Sequence, residues 1–156
     1  MTLPPAKKLF DNYPDGTREE VAVAVGGTVA ANIRNSGWET CCIRLSLSLS
    51  LSGQPIEGFA RMANPHMKEG KVRASKGASN KWYIYSCYDL RVYLDNRFGK
   101  PRKFGSYETS DLSDVKGIIM FAFRHVDIWD GTKVKYNKDF TNGTKTVSDI
   151  YVWPAP

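Results

Sequence analysis

Cys41-Cys42-Ile43-Arg44-Leu45-Ser46-Leu47-Ser48-Leu49-Ser50-Leu51-Ser52 supports two opposite readings, and the fold turns on which of them holds. Strict Leu/Ser alternation from position 45 has a period of two, the signature of a half-buried strand. Composition points the other way. Leu is a good helix former, Ser has no strand preference, and a helix beginning at Cys41 puts Cys41, Leu45 and Leu49 on one face at i, i+4 spacing. The remaining Leu residues then fall on the opposite side, so such a helix must be buried around most of its circumference, with Ser hydroxyls bonding to carbonyls one turn earlier. Both readings place the segment in the core, because four Leu in this run are too apolar for a solvated linker.

N-terminal to this run, Ala6 to Asn12 reads as a short amphipathic helix stopped by the turn Tyr13-Pro14-Asp15-Gly16. The apolar stretch Val21 to Val25 ends at Gly26-Gly27, and Thr28 is placed to cap a helix through Arg34 that stops at Gly37. C-terminal to it, Met62 to Lys81 carries Lys68, Lys71, Arg73, Lys76 and Lys81 against the single acid Glu69, the composition of a solvated loop. Trp82-Tyr83-Ile84-Tyr85 is a strand by its aromatic and β-branched content. Ser86 and Asp89 form a capping-box pattern for a helix that turns Leu90, Tyr93, Leu94 and Phe98 inward and ends at Gly99 and Pro101. After a polar connection over 107–112, Gly117 to Phe123 reads as a buried strand. His125 to Trp129 follows as another, with His125, Asp127 and Trp129 on one face. Asp130-Gly131 is a hairpin signal that pairs Lys133 to Tyr136 antiparallel with the histidine strand, and Ile150 to Trp153 supplies the last strand. Helices first and sheet later make an α+β arrangement.

Composition narrows the function classes. A chain of 156 residues that is 42% hydrophobic can bury one core, so a single domain spanning 1–156 is expected. A net charge of +6 and a pI near 9.2 favour an anionic partner, whether nucleic acid, an acidic membrane surface or the bacterial cell wall. The first ten residues lack the apolar core of a signal peptide, and no apolar run approaches the roughly 20 residues of a membrane-spanning helix. The expectation is a protein without membrane insertion that is cytoplasmic or exported without a cleavable signal. Cys41, Cys42 and Cys87 are too few and too poorly spaced for a zinc site, so neither metal nor cofactor is expected.

The chemistry that this order permits is nucleophilic. A thiol attacks only as thiolate, and a cysteine at the first turn of a helix has backbone amides beside it that lower its pKa and can cradle an oxyanion. Either Cys41 or Cys42 is placed for that. His125, held by a strand, is the better of the two histidines as general base, since His66 lies in the basic loop. Candidates to orient the imidazole are Asp139 beyond the hairpin, Asp130 at its turn, and Asp127 on the same strand face. Two residues along one strand, Asp127 projects parallel to the imidazole and is the less suited to face it.

Taken together, several stretches carry a family resemblance: Cys41-x-x-Arg44-x-Ser46, Trp82-Tyr83-Ile84-Tyr85 leading to Asp89-Leu90-x-x-Tyr93-Leu94 and Phe98-Gly99-Lys100-Pro101, and Gly117 to Phe121 followed by His125-Val126-Asp127-Ile128-Trp129-Asp130-Gly131. In order and spacing they resemble the fourth family of type VI secretion amidase effectors, papain-like cysteine peptidases of the NlpC type, from about Gly26 to Trp153. The resemblance implies that the Leu/Ser run is helical and that the N-terminal helices pack on an antiparallel sheet. It selects Cys41 as nucleophile, because the family pattern places Arg three residues after it, with His125 as base and Asp139 as third member, Asp130 standing as substitute.

The implied activity is hydrolysis of the γ-D-glutamyl–meso-diaminopimelate amide in peptidoglycan stem peptides of a rival cell. Implied partners are the type VI secretion machinery and a cognate periplasmic immunity protein, with no nucleic acid. The implied route is synthesis in the cytoplasm and export without a signal peptide into the target-cell periplasm. In that oxidising compartment Cys42 and Cys87 are a possible disulfide. Arg124 departs from the family pattern, which usually has a small residue before the histidine. The competing readings are a basic nucleic-acid-binding domain, with Trp82 to Tyr85 as stacking surface, and an inactive binding module on the same fold.

Overall fold

The computed structural model describes residues 1–105, 110–141 and 149–156. Of the polar connection over 107–112, residues 107–109 lie outside this set. The Leu/Ser run is helix: α1 is Ala6–Asn12, α2 Arg18–Val25, α3 Gly27–Asn35, α4 Cys41–Leu51 and α5 Cys87–Phe98. Along α4, Cys41, Cys42, Leu45 and Leu49 enter a core shared with α1 and α5, while Ile43 and Leu47 enter a second core with α2 and α3. The alternation therefore serves two apolar faces of one helix. Burying each such Leu contributes about 1.5–3 kcal/mol.

The interleaved serines are satisfied individually. Ser46 Oγ donates to the Cys42 carbonyl at 2.9 Å and accepts from the Ile84 amide at 3.0 Å. Ser48 Oγ donates to Leu9 O at 2.7 Å, tying α4 to α1. A central buried helix can therefore carry hydroxyls at no net penalty, because each replaces water with a fixed partner.

Thr17 and Glu20 make a reciprocal capping box that starts α2, a start signal absent from the pattern-based reading. Gly26 and Gly27 have φ of 62° and 60°, left-handed values that let α2 turn directly into α3. The cap of α3 is Gly26, not Thr28. Ser86 makes no side-chain cap for α5. Asp89 is instead buried, accepting from Asn64 Nδ2 at 2.9 Å and ion-paired with Arg73 at 2.9 Å. Through that pair the basic stretch is anchored to α5 and is not simply solvated.

Strands β1 (Ser75–Lys76) and β2 (Trp82–Tyr83) form a small ribbon. The main sheet comprises β3 (Arg102–Phe104), β4 (Gly117–Phe121), β5 (His125–Trp129) and β6 (Ile150–Pro154), all antiparallel in the order β3-β6-β4-β5. Ile118, Met120, Val126 and Ile128 face the helices, and Ile119, Phe121 and Trp129 face the opposite core with Phe140. The β4–β5 hairpin closes through Ala122, Phe123 and Arg124, with Ala122 at φ 55°. It makes His125 the first residue of β5.

Lys133 to Tyr136 does not form the expected strand. Beyond one bridge between Trp129 and Val134, the segment lifts off the sheet edge. Lys135 N still reaches the Ile128 carbonyl at 3.1 Å, but it is shared with the Asp127 side chain, which also takes the amides of Tyr136 and Asn137 and ends the pairing there.

Candidate active site

Cys41 is the first residue of α4, so it sits among first-turn amides that have no intrahelical acceptor. Arg44 fixes this corner from below. Fully buried, it donates from Nε to Thr40 Oγ1 at 2.9 Å and from Nη1 to the carbonyls of Pro14 and Gly16 at 2.9 and 2.8 Å. Its guanidinium also stacks 3.8 Å from the Tyr136 ring centroid. One side chain thus ties the α1–α2 turn, the start of α4 and the segment after β5.

Cys41 and His125 share the wall of one cleft, and each shifts the protonation of the other. The imidazole lies against Phe140, ring centroids 4.8 Å apart, and its Nε2 is 2.7 Å from Asp127 Oδ2. That leaves Nδ1 as the ring atom for the thiol. Asp127 is itself fully buried and heavily held. Its Oδ1 accepts from the amides of Ile128, Lys135 and Tyr136 at 2.8, 2.9 and 3.1 Å, and its Oδ2 from Asn137 at 3.0 Å. Four backbone amides and the imidazole compensate a carboxylate taken fully out of water.

This corrects the expectation for the third residue. Asp139 is exposed on a 3-10 turn, Lys138–Phe140, where its amide donates to Asn137 Oδ1. Asp130 accepts from Thr132 and Lys133 in the turn after β5. Among the described residues neither bonds His125, and Asp127 occupies the place assigned to them. The sequence argument that i and i+2 side chains only run parallel neglected how far an imidazole reaches along its own strand. Asp127 in the His-Val-Asp triplet was the available signal. His66 is elsewhere, near Tyr88 and Phe123.

The charges match the geometry. The Cys41 thiol is held well below the ordinary cysteine value by hydrogen bonds from Cys42 and Cys87 and then by His125, against the opposing effect of burial. Burial works to lower His125, but the bonds to Asp127 and then Cys41 outweigh it and raise the imidazole to about 9. Cys42 and Cys87 are both raised, chiefly through Cys41. The opposite shifts of Cys41 and His125 both favour thiolate beside imidazolium. A cleft of about 280 Å³ opens over the pair, lined also by Arg18, Glu39, Arg124 and Asn137. Such a site can add a thiolate to a carbonyl, stabilise an oxyanion and protonate a leaving amine.

The family model for the type VI secretion system (T6SS) amidase effector protein 4, Tae4, matches residues 38–153, from just before the nucleophile to the last strand. The chain belongs to this family. Tae4 from Salmonella typhimurium, solved in complex with the immunity protein Tai4 from Enterobacter cloacae, superposes with a TM-score of 0.80 at 26% identity, over 98% of this chain and 99% of that one. Tae4 from Enterobacter cloacae gives 0.80 at 22% identity over 100% of both chains, a likeness of fold. No curated protein sequence gives a significant match. The α+β fold is thus the papain-like, NlpC-type fold of Tae4, and the chain is an antibacterial peptidoglycan amidase of that family, which decides against the nucleic-acid reading. No helix among the described residues is long and apolar enough to cross a membrane.

Proposed function

We propose that Cys41, His125 and Asp127 are the residues with which this amidase cleaves the γ-D-glutamyl–meso-diaminopimelate bond, within one catalytic domain. The carrying observation is that one cleft brings Cys41 and His125 together while the Asp127 carboxylate holds the imidazole at 2.7 Å. The Cys41 thiolate adds to the γ-carbonyl carbon, and the oxyanion is met by first-turn amides of α4. His125 gives its proton to the departing amine as the C–N bond breaks, leaving a thioester on Cys41. Water then gives a proton to His125, attacks the thioester carbon and releases the γ-carboxylate, restoring the thiolate. Asp127 keeps the imidazole in the protonation state and orientation that both steps need.

Arg124 is exposed at the cleft and has no ion-pair partner among the described residues, and Arg18 lies beside it. Stem peptides carry free carboxylates, so these cations are placed to bind them. The Salmonella and Enterobacter relatives are seen with Tai4. For this chain the corresponding partner is its own immunity protein, covering the cleft in the producing lineage. Delivery is by the type VI machinery into the target periplasm. There Cys42 and Cys87, free and 3.4 Å apart at sulfur, close a disulfide.

Purified muropeptides incubated with wild type and Cys41→Ala test the assignment. Mass spectrometry should show the γ-D-glutamyl product only with wild type; cleavage retained by the variant refutes the nucleophile.

A further inference from the structure

The sequence offers no ligand pairs for a metal, yet the fold assembles a set. Cys41 opens α4 and Cys87 opens α5, so two helix N-termini converge on one point with Cys42 between them. The three sulfurs lie within 4.8 Å of one another, and Cys42 and Cys87 are 3.4 Å apart. A tetrahedral thiolate site with metal–sulfur bonds of about 2.3 Å requires sulfurs about 3.8 Å apart. Cys42 and Cys87 are closer than that, and no sulfur pair exceeds it by more than about 1 Å. The fourth position faces the cleft that Cys41 and His125 line.

We propose that the reduced protein binds one thiophilic d10 cation, zinc or cadmium in class, through Cys41, Cys42 and Cys87, and that the bound ion silences the nucleophile. Three features support it. The donors are soft and buried, with Cys41 opening to the cleft as an entry path. Two helix N-termini present partial positive charge to a site that would carry net charge −1 with a divalent ion and three thiolates. The chemistry balances without an oxidant: each S–H bond is replaced by a sulfur–metal bond, and up to three protons pass to solvent. Coordination draws charge from the Cys41 thiolate and fixes its direction toward the ion, so the occupied site suppresses attack on a carbonyl. Closure of Cys42 with Cys87 removes two of the three donors, which confines binding to the reduced protein.

The test uses the full chain, reduced, with cadmium or zinc alone as probe. Equilibrium dialysis should give one ion per chain. X-ray absorption on wild type should count three sulfur neighbours, and thiolate-to-cadmium absorption should fall by roughly a third in Cys87→Ala. The protein oxidised at Cys42–Cys87 should bind at least tenfold more weakly. One sulfur or none around the ion overturns the proposal, as does undiminished absorption in a Cys87→Ala protein that still melts cooperatively. The wild-type sulfur count decides the matter if that variant does not fold, and it does so whichever residues cleave the substrate.

Discussion

Replacing Asp127 with Asn changes one atom and tests the central geometric assignment. Raising His125 from 6.5 to about 9 corresponds to about 3 kcal/mol of preference for the imidazolium. Asp127 supplies the larger favourable share, ahead of Cys41. Loss of that share lowers the imidazole pKa and with it the fraction held as imidazolium at neutral and alkaline pH. An Asn oriented with its amide nitrogen toward His125 also demands an acceptor there, which moves the ring proton to the nitrogen that must take the thiol proton. The same nitrogen opposes the Asn137 amide, which now donates to Oδ2 at 3.0 Å. Losing one or two charge-assisted bonds of about 1.5–3 kcal/mol each implies a melting temperature lower by roughly 5–15 °C. Turnover of muropeptides should fall by about 10²–10⁴, and alkylation of Cys41 should lose its enhanced rate below neutrality. Asp139→Asn, altering an exposed side chain, should change neither. A folded Asp127→Asn enzyme with wild-type kcat/KM and an alkaline limb still near 9, alongside an inactive Asp139→Asn, would refute the assignment.

Three further outcomes follow from the same contacts. Considered alone, the raised His125 contributes stability that is complete below about 6.5 and is lost as pH climbs through about 9. The lowered Cys41 contributes stability that is present above the ordinary thiol value and lost as pH falls through its own. Between about 6.5 and about 9 the two slopes oppose each other in wild type, whereas Cys41→Ala should lose stability more steeply with rising pH over that interval; parallel curves for the two proteins contradict the ion pair. Ser46→Val strands the Ile84 amide and should cost about 1–3 kcal/mol in denaturant melts, while Ser50→Ala, at a partly exposed hydroxyl bonded to Lys81, should stay within about 0.5 kcal/mol. Arg44→Lys cannot hold the Pro14 and Gly16 carbonyls together with Thr40 Oγ1 and the Tyr136 face; a loss of about 2–4 kcal/mol by thermal melting is expected, and an unchanged melt would show the fork to be dispensable.

The Leu/Ser run shows what a linear pattern can and cannot convey. Its period of two was a true periodicity with a misleading implication, since Leu45 and Leu49 fill one core and Ile43 and Leu47 another around the same helix. Propensity and i, i+4 spacing on their own left the strand alive; family resemblance settled the helix. Elements marked by a continuous or strongly periodic apolar run were legible. The histidine strand, the apolar strand before it and the helix ending at Gly99 fall where pattern and capping residues put them. Side chains recruited across the fold were not. Asp89 resembles a cap and is a buried anchor for Arg73, and Cys87 lies far from Cys41 in sequence yet comes within 4.8 Å of it at sulfur.

Asp127 joins the largest error of topology to the largest error of site. A hairpin rule gave Lys133 to Tyr136 to a strand, and a face rule withheld Asp127 from His125. Both rules reserve backbone amides for the ladder. Here the amides of Lys135, Tyr136 and Asn137 turn to one carboxylate, and a buried anion gains more from three such donors than a sheet edge loses by giving them up. The unpaired segment is thereby free to wrap over the site and bring Tyr136 onto Arg44 and Asn137 to the cleft. The residue that orients the base is also the one that shapes the wall beside it, so a defect at Asp127 should appear in substrate affinity as well as in turnover.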